Sequence, residues 1–182
     1  MTTGSPRIIA VCGSHGSAKS TLARALAEAL GAWHHVHHAT PGADPWEAAC
    51  RYAAQRAEAL RLATAAGATL IVADRWGVST GVLAAVLDDE ALRLLRQAER
   101  AALRDPLLTL ICDAPEDVCR ARVEARGETW GAQESAEHAE IKRLARIRST
   151  DKVAAGSWRI IDTTRPRDVV LAEALACVRG VL

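Results

Sequence analysis

The chain has 182 residues, of which 49% are hydrophobic and 25% are charged. This composition is ordinary for a globular domain and excludes a disordered, collagen-like or disulfide-scaffold chain. The chain has 23 Lys and Arg residues and 22 Asp and Glu residues, so its formal net charge is only +1. This net charge gives no global reason to expect a nucleic-acid or anionic-membrane partner.

Short apolar runs alternate along the chain with longer segments of helical periodicity. The predicted strands are Arg7–Cys12, Trp33–His38, Thr69–Ala73, Leu107–Cys112 and Trp158–Ile161. The predicted helices are Lys19–Leu30, Trp46–Ala66, Thr80–Leu87, Asp89–Arg104, Pro115–Arg126, Ser135–Ser149 and Pro166–Arg179, with Asp88 as the N-cap of the fourth. This alternation predicts a three-layer α/β fold, in which one five-stranded parallel sheet carries helices on both faces. We expect a single domain over residues 1–182, with a short polar lid at about 127–136.

A glycine-containing loop joins the first predicted strand to the first predicted helix. Its residues are Gly13, Ser14, His15, Gly16, Ser17, Ala18, Lys19, Ser20 and Thr21. They fit the phosphate-binding loop (P-loop) pattern G-x-x-x-x-G-K-[ST], except that Ala18 replaces the last glycine. Such a loop points backbone N–H groups at a polyphosphate, beside the positive end of a helix dipole. We therefore expect ATP here, with Lys19 on the β- and γ-phosphates and Ser20 on Mg²⁺.

Two qualifications apply to the P-loop prediction. Alanine suits position 18 only if its φ angle is negative, and a glycine-rich turn that merely caps the helix is the alternative to a P-loop.

The predicted parallel sheet supports a ligand site at this loop, because ligands bind beyond the carboxyl ends of parallel strands. Asp74 follows the third predicted strand there, and its carboxylate can hold a Mg²⁺-bound water or accept a proton from an acceptor hydroxyl. A helix cap or an ion pair with Arg75 is the alternative for Asp74.

With these features the chain resembles the thymidylate kinase and deoxynucleoside kinase group of P-loop kinases, from about residue 8 to 175. Besides the P-loop, the likeness rests on Tyr52–Arg56, Asp74–Trp76 with Ser79 and Thr80, Leu107–Asp113 with Pro115, and Arg120–Gly127. The resemblance implies a P-loop NTPase fold and an ATP- and Mg²⁺-dependent phosphotransferase.

The resemblance also implies roles for four arginines. Arg56 and Arg75 would hold the acceptor, while Arg122 and Arg126 would stabilise the transferring phosphoryl group from the side of the lid. The i, i+4 spacing of the latter pair places both on one helix face. Solvated surface arginines are the alternative for all four. Residues Thr163–Arg167 would lie near the adenine.

The acceptor side departs from the family pattern. Thymidylate kinases carry Glu-Pro-Gly-Gly after the second strand, where this chain has Ala39–Gly42. They also carry Ala-Tyr-Gln after Ser-Thr, where Val82–Ala84 offers no side-chain hydrogen bond, and His15 replaces a P-loop carboxylate common in the family. We therefore expect a rebuilt acceptor pocket rather than an ordinary thymidylate kinase.

Several other residues are candidates for contact with the acceptor. His37 or His38, at the end of the second predicted strand, is expected to line the pocket as a hydrogen-bond donor or general base, and a zinc site there would need ligands that are not evident nearby. Asp44 is a second candidate base, or else the N-cap of the next helix. Trp76 and Trp130 are candidates for base stacking, although Trp130 could equally pack the lid.

Two further sequence signals are a locally basic segment and the cysteines. The basic residues of the segment are Lys142, Arg143, Arg146, Arg148 and Lys152. A solvated helix face is the first interpretation, and contact with a phosphate backbone is the second. Five widely spaced cysteines without a Cys-x-x-Cys pair predict reduced thiols and a cytoplasmic location. The absence of a signal-peptide pattern or a long apolar run predicts no membrane partner.

Three functions follow as hypotheses. The first is a kinase that transfers the γ-phosphate of ATP to a nucleotide or nucleoside-type acceptor. The second is a kinase for the hydroxyl of a modified base, such as 5-hydroxymethyluracil in phage-type DNA. The third is a nucleotide-binding module that has lost transfer. DNA as a partner and a homodimer are left open.

Overall fold

Strands and helices alternate throughout the part of the chain that this computed structural model describes, residues 4–38, 44–150 (without the side chains of 149 and 150) and 157–182. The strands are β1 (Arg7–Cys12), β2 (Trp33–Val36), β3 (Leu70–Asp74), β4 (Leu108–Asp113) and β5 (Trp158–Asp162). The helices are α1 (Lys19–Leu30), α2 (Pro45–Ala65), α3 (Val78–Val86), α4 (Glu90–Ala102), α5 (Glu116–Glu124), α6 (Ala132–Thr150) and α7 (Arg167–Arg179). The predicted departure at Ala39–Gly42 and the basic Lys152 lie outside the described residues.

The five strands form one sheet in the order β2-β3-β1-β4-β5. Every neighbouring pair is parallel, with Ile9 of β1 opposite Val72 of β3 and Leu108 of β4. The predicted five-stranded parallel sheet is confirmed. Because parallel strands end at the same edge, the segments that follow β1, β2, β3 and β4 all meet there.

The central strand β1 is apolar on both sides because helices cover both faces of the sheet. Its Ile9 and Val11 pack in a cluster with residues of α1 and α7, while Ile8 and Ala10 pack in a second cluster with residues of α2, α3 and α6. Within the described residues, no helix combines the length and apolar character needed to cross a bilayer.

Three predicted boundaries are corrected by the structure. Strand β2 ends at Val36, and the backbone N–H and carbonyl of His38 bond instead to the Gln55 amide, at 3.0 and 3.1 Å. Asp89, not Asp88, caps α4, because its carboxylate accepts from Leu92 N at 3.1 Å while Asp88 has a left-handed φ of 51°. Helix α6 begins at residue 132, so half of the predicted lid segment (residues 127–136) is helical.

Candidate active site

The P-loop joins β1 to α1 and is folded tightly against α5. A Cβ added to Gly16, whose φ is 70°, would collide with the backbone of Cys119. A Cβ added to Gly13 would lie 2.8 Å from Cys112 O at the end of β4. Glycine is therefore required at both positions to let the loop approach its neighbours so closely.

Ala18 has a left-handed backbone, a conformation that glycine adopts without strain. Its φ and ψ angles are 62° and 15°, which is the left-handed region, so the negative φ that would suit alanine is not found. For an L-residue with a Cβ this region costs about 1–2 kcal/mol. The backbone of Ala18 is therefore strained in this loop.

Lys19 opens α1 with its ammonium turned back onto the loop. Lys19 Nζ donates to Ser14 O at 3.2 Å. Burial lowers the pKa of Lys19 from 10.5 to about 8, the charge of Arg75 acts in the same direction, and the carboxylate of Asp74 opposes both. The ammonium is therefore partly stripped of water and has a backbone carbonyl as its only recorded hydrogen-bond partner, among the residues that the structure describes.

Asp74 ends β3 directly beside β1, in register with Val11. Its side chain is 6% exposed, and Asp74 Oδ1 is a buried atom without a hydrogen-bond partner in the described structure. Ser17 Oγ, inside the P-loop, is in the same condition, whereas Ser20 is exposed on the first turn of α1. Carboxylate and hydroxyl oxygens are the ligands that Mg²⁺ prefers, so Ser20 and Asp74 fit this ion chemically.

The residue after Asp74 shows how the turn beyond β3 is held. Arg75 has a φ of 69°, its backbone N–H donates to Val11 O at 2.8 Å, and its guanidinium reaches Ser79 Oγ at 3.5 Å. Arg75 and Lys19 both lower the pKa of His15, which burial brings to about 4. His15 is therefore neutral at pH 7, and the mouth of the loop keeps a positive charge from Lys19 and Arg75.

The two arginines of the α5 segment have different surroundings. Arg122 is fixed by backbone carbonyls, donating to Gly16 O at 3.2 Å and to Thr163 O at 2.9 Å. Arg126 instead pairs with Glu128 at 3.1 Å, and both of these side chains are 53% exposed. Arg122 thus links the P-loop to the segment after β5, whereas Arg126 has the solvated setting of the alternative interpretation.

On the side of the predicted acceptor, Arg56 is buried, with protein partners on its Nη1 and Nη2 atoms and none for its Nε in the described structure. Its side chain is 0% exposed, pairs with Glu99 and donates to Thr80 Oγ1 at 2.8 Å and to Trp76 O at 3.3 Å. Trp76 is a core residue, 2% exposed, whose indole N–H donates to Arg104 O at 3.2 Å. In this arrangement neither side chain presents a free surface to a ligand, and their acceptor contacts stay predictions.

His35 within β2 and His37 after it form an aromatic group with Tyr52. The ring of His37 stacks on Tyr52, with centroids 4.9 Å apart, and meets the edge of His35 at 5.0 Å. Burial lowers the pKa of His37 to about 2 and that of His35 to about 4. Both ring nitrogens of His37 are buried without a hydrogen-bond partner in the described structure. His38 is exposed and, with Gln55, borders a cavity of about 560 Å³ beside β2 and α2.

Asp44 lies further along this edge and caps α2. Asp44 Oδ1 accepts from Trp46 N at 2.9 Å and from Glu47 N at 3.1 Å, so the capping alternative is what the structure shows. Its role as a general base stays a prediction. Over the described residues, no group of three or more His, Cys, Asp or Glu side chains is arranged to hold a metal ion.

Comparison with solved structures bears on the fold that carries this site. A structure of deoxyadenosine kinase from M. mycoides with products dCMP and a flexible dCDP bound matches with a TM-score of 0.68 and 12% identity, covering 96% of this chain and 100% of that chain. A structure of deoxyadenosine kinase from M. mycoides with bound dCTP matches with a TM-score of 0.67, 12% identity and the same coverage. This chain has the P-loop NTPase fold of the deoxynucleoside kinases.

The remaining comparisons are negative, and the likeness is one of fold. No family model matches the sequence, and no curated protein matches it. The neighbours are deoxynucleoside kinases, so the thymidylate kinase side of the resemblance stays a prediction.

Within this P-loop NTPase fold the predicted site residues fall into several sets, of which buried Arg56 and Trp76, in contact with each other, are one. The P-loop, Asp74, Arg75 and Arg122 are brought together at the ends of the central strands. His37 and Tyr52 lie together at the edge strand, while Arg126, His38 and Asp44 point to solvent or to local partners.

Sequence reasoning missed two residues that the structure places on these groups. Glu99 pairs with Arg56, and His138 of α6 contacts the P-loop at Ser14. Both are lone polar residues in helices of ordinary charged composition, so no sequence signal distinguished them.

The predicted basic face of α6 is bound within the chain at several points. Lys142 Nζ lies 2.8 Å from Asp113 Oδ1, Arg143 bonds to Glu140, and the guanidinium of Arg148 lies 5.9 Å from the Trp158 ring centroid. These contacts favour the helix-face interpretation, and contact with a nucleic-acid backbone stays a prediction.

Proposed function

We propose that this protein is an ATP-dependent phosphotransferase that transfers the γ-phosphate to a nucleoside- or nucleotide-type acceptor in the cytoplasm. The observation that carries the proposal is that the P-loop, with Ala18 in a left-handed conformation, meets the Lys19 ammonium and the Asp74 carboxylate at the ends of β1 and β3, where Asp74 Oδ1 has no hydrogen-bond partner in the described structure. The similarity of fold to deoxyadenosine kinase supports it. We further propose that the whole chain acts as one kinase domain, with residues 127–136 as its lid.

Each side chain of the site has a defined part in this reaction. The N–H groups of the P-loop receive the phosphate oxygens, and Lys19 exchanges the Ser14 carbonyl for the β- and γ-phosphates. Asp74 accepts a hydrogen bond, and then the proton, from the acceptor hydroxyl, or orients a water near the metal. Mg²⁺ held through Ser20 and Asp74 would neutralise charge on the phosphates when bound.

Arginine provides the remaining positive charge. Arg122 is held on the carbonyl of Gly16, so it stands at the back of the loop, while Arg126 pairs with the exposed carboxylate of Glu128 and can exchange it for a phosphate oxygen. Catalysis of this kind consists of positioning and charge stabilisation, and the protein forms no covalent bond to substrate.

The two buried histidines on the predicted acceptor side are neutral at pH 7. His37 and His35 have pKa values far below 7, and Arg56 is already paired with Glu99. The buried, uncharged ring nitrogens of His37 have no hydrogen-bond partner among the described residues, which favours an acceptor that offers hydrogen-bonding groups of its own. This arrangement supports a nucleoside-type acceptor more than one that requires several arginines around a monophosphate.

The deciding experiment is transfer of label from γ-labelled ATP in Mg²⁺ buffer. The acceptors are the deoxynucleosides, their monophosphates and DNA containing 5-hydroxymethyluracil. Label in a small-molecule product supports the proposal, and label retained only on DNA replaces it with the modified-base hypothesis. Tight ATP binding with no transfer to any acceptor would indicate the non-catalytic module.

A pair of variants makes the assay specific to the site. We expect Lys19→Ala to reduce transfer by about 100-fold or more, because it removes the cation aimed at the phosphates. Arg61→Gln removes a cation of α2 whose recorded hydrogen bonds are to exposed Glu58, and it should transfer at the parent rate. Parent-rate transfer by Lys19→Ala would end the proposal.

A further inference from the structure

Helix α6 contacts the P-loop through a histidine. The His138 side chain is buried, with 7% exposure for the residue, and His138 Nδ1 lies 3.0 Å from Ser14 Oγ. Its ring also meets that of Trp130, with centroids 6.3 Å apart. Trp130 lies in the lid segment (residues 127–136), so His138 stands between that segment and the P-loop.

Ser14 is the residue to which Lys19 is attached. The Ser14 carbonyl accepts from Lys19 Nζ at 3.2 Å and from Ser17 N at 3.3 Å, while the Ser14 hydroxyl lies 3.0 Å from His138 Nδ1 and 3.7 Å from Cys119 Sγ of α5. One residue therefore receives α6 on its side chain and the P-loop lysine on its backbone. A change in the backbone angles of Ser14 would move the carbonyl that accepts from the Lys19 ammonium.

A second polar contact keeps α6 in this place. Lys142 follows His138 by one turn on the same face, and Lys142 Nζ lies 2.8 Å from Asp113 Oδ1 at the end of β4. The two contacts fix α6 to the segments after β1 and β4. Burial lowers the pKa of His138 and Lys142 acts in the same direction, so the imidazole is neutral at pH 7 and has one donor and one acceptor nitrogen.

We propose that His138 is a positioning residue of the phosphate site: through the Ser14 hydroxyl it holds the P-loop backbone in the shape whose N–H groups receive the phosphate oxygens, and it thereby couples the position of α6 to phosphate binding. The inference rests on the proposed function for its reaction, but it concerns a step, phosphate binding, that is measured without any acceptor.

The test is a double-mutant cycle on the affinity for a non-hydrolysable ATP analogue with Mg²⁺, measured by calorimetry. The variants are His138→Leu, Ser14→Ala and their combination. His138→Asn keeps a hydrogen-bonding atom near the position of Nδ1, and Glu137→Gln on the same helix is the matched control. Thermal unfolding of every variant separates lost binding from lost stability.

We expect His138→Leu and Ser14→Ala each to weaken binding by about 3- to 10-fold, the range of one hydrogen bond. The double variant should be no weaker than the weaker single variant, His138→Asn should stay within about 2-fold of the parent, and Glu137→Gln should match it. Parent affinity in His138→Leu, additive losses in the double variant, or a loss in His138→Asn equal to that in His138→Leu would overturn the proposal.

Three further results remain decisive. If His138→Leu does not fold, Ser14→Ala with and without His138→Asn replaces the cycle: a Ser14→Ala loss that His138→Asn does not enlarge supports the coupling, and an enlarged loss overturns it. If the parent binds the analogue yet transfers phosphate to no acceptor, the proposed function fails while the binding cycle still judges His138. A parent that does not bind the analogue overturns both.

Discussion

Arg56 and Glu99 form an ion pair inside the protein, with side chains 0% and 3% exposed. The pair joins the middle of α2 to α4, and Arg56 also donates to Thr80 of α3. Three helices on the acceptor side of the sheet are therefore held by one guanidinium.

We predict that Glu99→Leu destabilises the protein by about 3–5 kcal/mol, because it leaves the Arg56 charge buried without its partner. The double variant Arg56→Met with Glu99→Leu should recover most of that loss, since both charges are then absent. Urea unfolding measures both. A double variant as unstable as Glu99→Leu alone would show that packing, rather than the unpaired charge, dominates.

The strained residue of the P-loop gives a prediction of opposite sign. Ala18→Gly should raise the free energy of unfolding by about 0.5–1 kcal/mol, the left-handed penalty less the extra backbone entropy of glycine in the unfolded chain. Ala29→Gly, at an exposed position with helical backbone in α1, is the control and should lower it by about 0.5–1 kcal/mol. Equal destabilisation of the two variants would contradict the strain at Ala18.

The alternation of short apolar runs with segments of helical periodicity was enough to predict the parallel sheet. Strands buried on both faces and amphipathic helices have different patterns of hydrophobic residues. Local chemistry was enough for the P-loop, whose glycines and lysine are contiguous. The positive φ of Ala18, by contrast, is imposed by the loop around it, and no property of alanine indicates it.

The residues that sequence reasoning left open are those whose surroundings come from distant segments. Arg56 pairs with Glu99, which is 43 positions away in the sequence but adjacent in the fold. His138 and Ser14, which are in contact, are separated by 124 positions. Asp88 and Asp89 are equally good caps by residue type, and only the turn before α4 decides between them.

Acid should destabilise the fold through the histidines of the edge strand. His37 has a pKa of about 2 in the folded chain and an ordinary value of 6.5, so the unfolded chain binds more protons as the pH falls below 6.5. The contribution of the neutral His37 to the free energy of unfolding is fully present above pH 6.5 and declines as the pH falls from 6.5 toward 2. His35, with a pKa of about 4, contributes in the same direction.

His37→Phe isolates this effect. Phenylalanine keeps a ring against Tyr52 and removes two nitrogens that have no hydrogen-bond partner in the described structure. We expect an unchanged or higher melting temperature at pH 7.5 and a smaller drop between pH 7.5 and pH 5 than in the parent. The same drop in both proteins would assign the acid sensitivity to other groups.

Nucleotide affinity should depend on the protonation of Lys19. With a pKa of about 8, Lys19 loses its charge on a moderate rise in pH, and polyphosphate binding requires the charged form. We therefore expect affinity for the ATP analogue to be constant from about pH 7 to pH 7.5 and to fall above pH 8, approaching tenfold per pH unit.

Calorimetry across pH 7–9.5 measures this dependence, and Lys19→Ala is the reference. That variant should bind weakly at every pH and show no decline centred near pH 8. A parent affinity that stays flat to pH 9.5 would mean that Lys19 keeps an ordinary pKa in solution.

The strand order separates two kinds of mutational tolerance. β1, in the middle of the sheet, supports the P-loop, and every substitution there disturbs a neighbour on each side. In the described part of the chain β2 is an edge strand, paired with β3 on one side, and its histidines face the cavity beside α2. Randomised libraries aimed at residues 33–38 and at the adjoining face of α2 should therefore alter ligand preference while sparing foldability, which makes this margin the natural starting point for redesign.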